Sequence, residues 1–156
     1  MTYNPKWAAA ASWAAAFANA ELVSLAQGDT AVSSVVISNS TGLYIGARVR
    51  MALSGTTGTG APFIGFYLLP KNSDGSYGDG RAASDVFTGA PSQTYYAGNI
   101  VLPPSLSSGT FVGNRELVCD LPNSDFLLAL YNNSGNALGA TGNSVDIDYP
   151  LINLNG

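Results

Sequence analysis

The sequence predicts an all-β fold: an antiparallel, jelly-roll-like β-sandwich with a short Ala-rich N-terminal helix or arm. Three observations predict it. First, "LYIGARVRMAL" alternates from Leu43 to Leu53: Leu43, Ile45, Ala47, Val49, Met51 and Leu53 face one way, and Tyr44, Gly46, Arg48, Arg50 and Ala52 the other. A period of two marks an antiparallel strand buried on one face. Second, shorter runs of the same character recur along the chain, parted by segments rich in Gly, Ser, Asn and Thr. Third, those connecting segments are long and uneven, which suits a jelly-roll sandwich better than an up-and-down barrel.

The N-terminal "NPKWAAAASWAAAFANAELVSL" is the one stretch without strand character. Asn4 can cap a helix, Pro5 suits its first position, and alanine has the highest helix propensity. Twelve mostly alanine residues from Trp7 to Ala18 are too few for a membrane span. The "FANAE" stretch has the look of a leader-cleavage site, but the weak n-region and the lack of leucine favour a helix that stays. After Leu25 the strand-like runs are "AVSSVVIS", "GLYIGARVRMAL", "PFIGFYLL", "QTYYAGNIVL", "RELVCDL", "DFLLALYN" and "SVDIDYPLINL". The short "LPNSDF" is expected to be a tight connection between antiparallel neighbours. The domain reading is a helix or arm over residues 1–21 and a sandwich over 22–156.

Charged residues are only 10% of the chain against 46% hydrophobic ones, and the net charge is −4. A usual soluble domain carries roughly 25% charge. A subunit that buries surface against neighbours needs less of it. No basic run is present, so neither nucleic acid nor an anionic membrane surface is expected as a partner.

The chemistry-bearing residues are few. The chain has no histidine, which removes Ser/His/Asp triads and histidine metal sites. Cys119 is the single cysteine and alternates with Leu117 and Leu121, which reads as a core thiol. Two carboxylate pairs are possible, Asp120 with Asp125 and Asp146 with Asp148; the second sits on one strand face and reads as two like charges on a solvated face. "FYLLPKNSDGSYGDG" opens a long loop, Lys71 to Ser92, with Asn72, Asp74, Ser76 and Asp79 in its first half. As a calcium loop running from Asp74 to Asp85 it matches poorly: Asp79 stands where a glycine is needed, and the twelfth position is not Glu. Side chains bonding their own backbone are the better explanation of that composition. No cofactor, no metal and no enzyme activity are expected.

Three stretches carry a resemblance. They are "LVSLAQGDTAVSSVVISNSTGLYIGARVRMAL", "GFYLLPKNSDGSYGDG" and "LPNSDFLLALYNNSGNALGATGNSVDIDYP". Their order resembles a β-sandwich family among tailed-bacteriophage virion proteins, the head decoration or cement proteins. The resemblance implies a non-enzymatic structural subunit on the capsid surface of the virion. Its partners would be the major capsid protein or other virion subunits, and it would be a homo-oligomer. The rival class is a carbohydrate-binding module, receptor-binding or lectin-like, with Tyr77 as a stacking residue; a tail or baseplate subunit would share the same fold logic. Large aromatics on a short alanine-rich segment need a cover, either the segment's own domain or another subunit; on the second reading Trp7, Trp13 and Phe17 are the partner-binding residues. On that reading, deleting residues 1–20 would leave a folded sandwich that no longer attaches.

Overall fold

A computed structural model describes residues 13–39, 44–117, 121–122 and 124–153. Trp7, Cys119 and Asp120 lie outside the described residues. Among the described residues nine strands form two antiparallel sheets: β1 (Ala14–Ala15), β2 (Asp29–Val32), β3 (Tyr44–Ser54), β4 (Phe63–Pro70), β5 (Val86–Thr88), β6 (Tyr96–Val101), β7 (Thr110–Leu117), β8 (Phe126–Asn133) and β9 (Ser144–Asn153). The first sheet has the order β1-β9-β3-β7 and the second β5-β2-β8-β4-β6. Set the short edge strand β5 aside and a rule appears: β1 pairs with β9, β2 with β8, β3 with β7 and β4 with β6. The chain is thus one long antiparallel ribbon, folded at its middle and wrapped so that successive pairs fall in alternate sheets. That is the jelly-roll arrangement.

The alternation read in residues 43–53 explains the main core. Ala47, Val49, Met51 and Leu53 of β3 are buried there, with Val145 and Ile147 of β9 and Phe111 of β7. Against them pack Ile64, Phe66 and Leu68 of β4 and Phe126, Leu128 and Leu130 of β8. Burying such side chains gives about 1.5–3 kcal/mol each, so this interior dominates stability.

The central strands of the second sheet are apolar on both faces. Tyr67 and Leu69 of β4, Leu127 and Ala129 of β8 and Val32 of β2 point away from the main core, yet they are buried. What covers them is the long loop after β4. Tyr77 is buried in this second cluster, and Phe87 and Tyr95 pack against it. Gly78 is required there: a Cβ on it would sit 2.9 Å from the Tyr95 ring. The Arg81 guanidinium lies 3.5 Å from the centre of the Phe87 ring. Burial pushes the Tyr67 phenol above its ordinary pKa. Part of the loop is itself a strand: β5 pairs with β2 through Asp29–Thr88, Thr30–Phe87 and Ala31–Val86.

Four sequence expectations are corrected. The described part of the N-terminal segment is not helical: Ala14 and Ala15 pair with Ile147 and Asp146, followed by a 3-10 turn over Asn19–Glu21. Alanine's helix propensity is local and weak, and a strand partner with a hydrophobic interior outbids it. The sandwich therefore includes residues from Ala14 onward, before the expected boundary at residue 22. Phe17, expected as an exposed anchor, is 4% exposed and belongs to the main core, as does Ala16. Finally, "AVSSVVIS" does not run as one strand. β2 ends at Val32, where the Ser33 hydroxyl turns back to donate to the Ala16 carbonyl, and only Ile37 returns to bridge Phe126.

Candidate functional site

Four surfaces compete as the functional site. The first is the outer face of the first sheet. The register places Arg48 opposite Asp148 and Arg50 opposite Asp146. Both pairs close at 2.8 Å. Trp13 lies beside them, its ring centre 4.5 Å from the Arg50 guanidinium carbon and 5.5 Å from that of Arg48. The two aspartates are thus members of a ladder of crossed charges under an indole, not a solvated pair of like charges, and Asp148 keeps only 4% of its side-chain surface. Of the expected partner-binding residues, Trp13 is half-buried on this face, Phe17 is in the core, and Trp7 lies outside the described residues. The three do not form one exposed patch.

The ladder gives a testable asymmetry. Arg48→Ala removes the guanidinium from a carboxylate that stays buried, so a loss of about 1–3 kcal/mol is expected. Arg50→Ala exposes an already accessible pair and should cost under about 1 kcal/mol. Urea unfolding of the two variants measures the difference; equal midpoints would contradict the burial argument.

The second surface is the Asp-rich loop. Asp74 Oδ1 accepts from the Ser76 amide at 2.9 Å and from the Ser76 hydroxyl at 2.6 Å. These bonds hold its carboxyl below the usual carboxylate range. Asp79 accepts from the Ser92 amide and Asp85 from the Ala82 amide. Asn72 donates to the Ser76 hydroxyl and the Tyr77 carbonyl. Asn72, Asp74 and Asp85 shape their own turns while Asp79 ties across the loop to Ser92, and among the described residues no three His, Cys, Asp or Glu side chains group to hold a metal ion. Tyr77, the expected sugar-stacking residue, is only 8% exposed beneath this loop and offers no stacking face.

The third surface is the seam where β6 and β7 end the two sheets on the same side. Ile100 closes it from one strand: a Cβ on Gly113 of β7 would lie 2.6 Å from the Ile100 side chain. The residues next to that contact turn outward. Val101 is 71% exposed and Val112 74%. Both sit on edge strands with one unpaired side.

The fourth is a cleft of about 160 Å³ lined by residues of three segments: Gln27, the 58–62 loop and the turn at 133–135. Gln27 braces it. Its oxygen accepts from the Gly135 amide at 2.7 Å and its nitrogen donates to Asn133 Oδ1 at 3.0 Å. The walls meet backbone to backbone: Gly135 has φ +94°, and a Cβ there would come within 2.5 Å of Gly58 Cα. Nothing in the sequence reading singled out these residues. No protein-family model, curated protein or solved structure matches the chain. The surfaces themselves must therefore carry the functional argument.

Proposed function

We propose that the chain is a non-enzymatic structural subunit of a virion, a decoration or cement protein bound to the outer shell of a tailed-phage head. The observation that carries this reading is the seam. Two valines stand about three-quarters exposed on adjoining edge strands, and β6 has no charged side chain to discourage pairing, the charges of β7 being confined to Arg115 and Glu116 beyond Val112. Natural proteins protect such edges with charge, proline or a covering element. A seam left apolar and open suits a subunit whose edge is covered by a neighbour in an assembly. The low overall charge supports the same reading, as does the pairing of Arg48, Arg50, Asp74, Asp79, Asp85, Asp146 and Asp148 with groups of the same chain. Many modest contacts repeated over a symmetric shell would then add by multivalency, and the bridged capsomers would resist the pressure of the packaged genome.

Cryo-electron microscopy of the parent particle tests this. Density for the sandwich on the head, with the β6–β7 seam against a capsid subunit, is the expected result. Density on the tail would move the assignment to a tail subunit, and absence from the particle would end the reading. In a binding assay with heads lacking the protein, Val101→Asp with Val112→Asp should abolish attachment without lowering the melting temperature.

A further inference from the structure

We propose that the cleft between the 58–62 loop and the 133–135 turn binds one ring of a neutral glycan. The inference does not depend on the virion reading. Its first support is the chemistry of the lining: Gln27, Asn133 and Ser134 are polar, Gly58, Gly60 and Gly135 present backbone, and no lining residue carries charge. A phosphate or carboxylate ligand would find no cation there, and a metal ion no carboxylate. A purely apolar ligand would strip water from amides and give nothing back.

The second support is the arrangement of those amides. The bond from Gln27 occupies the Asn133 oxygen. The Asn133 NH2 group is left as a donor that makes no hydrogen bond among the described residues. Gln27 is itself held at both ends, so this part of the cleft is set before any ligand arrives.

The third support is the flank. Phe63 stands directly opposite Asn133 in the β4–β8 register, and Tyr131 shares the same face of β8. The two rings lie 6.2 Å apart, tilted at 56°, and both are half-buried. Gly65 stands opposite Tyr131, and a Cβ there would lie 3.6 Å from the Phe63 ring and 3.7 Å from Tyr131. Hydroxyls on the rim of a pyranose suit amide and backbone partners, while its C–H face suits an aromatic edge. Drug-sized ligands occupy pockets of roughly 300–1,000 Å³; the smaller cleft here fits a single ring, with the rest of a chain running over the aromatic flank.

The experiment is a titration of the isotope-labelled full chain, followed by amide NMR. The probes are glucose, galactose, mannose and N-acetylglucosamine, with inorganic phosphate as the control. At least one sugar is expected to shift the amides of Gly58, Gly60 and Gly135, with Kd on the order of 1 mM. Asn133→Ala should weaken that binding tenfold or more. Ala61→Arg, at an exposed position on the rim, should abolish it while the melting temperature stays unchanged. The proposal is overturned if none of the sugars moves these amides, if phosphate moves them equally, or if both variants bind as the parent does.

Discussion

Phe17→Ala is expected to lower the unfolding free energy by about 3–5 kcal/mol, whereas Trp13→Ala should cost only about 1 kcal/mol, the scale of a partly exposed cation–π contact. The contrast follows from where two aromatics four residues apart have gone. Phe17 sits in the main core with Ala16, and the Ala16 amide donates to the Val145 carbonyl at 2.8 Å. Truncation leaves a cavity in the main core. Trp13 rests on the outer face over Arg48 and Arg50, where water replaces it at little loss. The same argument reverses the expectation for a chain lacking residues 1–20. That deletion removes β1, the Phe17 side chain and the Ala16 carbonyl that receives the Ser33 hydroxyl. The shortened chain should fail to give a cooperative transition. Thermal unfolding followed by circular dichroism decides the matter: a truncated protein that melts as sharply and as late as the parent would show that the segment is dispensable.

Asn132→Leu is expected to be comparably damaging, at about 3–5 kcal/mol, a range reached when a buried polar network is broken. Asn132 is fully buried at the end of β8. Its nitrogen is shared by the carbonyls of Leu25 and Asn136 at 2.9 Å and of Ala26 at 3.2 Å, and its oxygen receives the Ser134 amide at 3.0 Å. One side chain thereby ties the turn before β2 to the turn after β8. An isosteric hydrocarbon would remove all four bonds, each worth about 0.5–1.5 kcal/mol, and leave the Ser134 amide without its acceptor; the carbonyls keep the Leu138 amide, the Asp29 amide and the Ser134 hydroxyl. Asn133→Ala, one residue on and half-buried, should stay within about 0.5 kcal/mol. Denaturant midpoints for the two asparagine variants give a direct comparison, and indistinguishable values would mean that Asn132 is not the hub its bonds describe.

What the sequence made legible was whatever depends on local alternation. Residues 43–53 read as a strand with Arg48 and Arg50 on one face, and the register with β9 set each beside an aspartate. What it concealed depends on partners far along the chain. Alanines 14 and 15 carry no strand signal of their own and are extended because β9 offers them an edge. Strand β5 hides in a loop of Asp, Ala and Ser because its pairing with β2 uses backbone groups. One clue was present and unread: "FIGFYLL" and "FLLAL" are apolar at nearly every position, the pattern of strands covered on both faces. It implied that something must lie over the outer face of the second sheet, and the loop from Lys71 onward is that cover. The cleft had no such clue. It is assembled from Gln27, the 58–62 loop and the 133–135 turn, and its walls meet at the backbones of Gly58 and Gly135.

The wrapped ribbon also dictates a timetable. The first described strand pairs with the last, and β2 pairs with β8. While the chain is being made, β1 has no partner until β9 emerges, and β3 waits for both β7 and β9. The middle hairpin, β4 with β6, is the one pair of the ribbon able to form early from nearby residues. Closure of the sandwich is therefore a late event that brings distant segments together, and folding of this non-local kind falls in the millisecond-to-second range. Until then β4 and β8, apolar on both faces, are without their covers. A growing chain of this design depends on finishing quickly, and a ribosome paused before β9 would hold its most aggregation-prone strands in water.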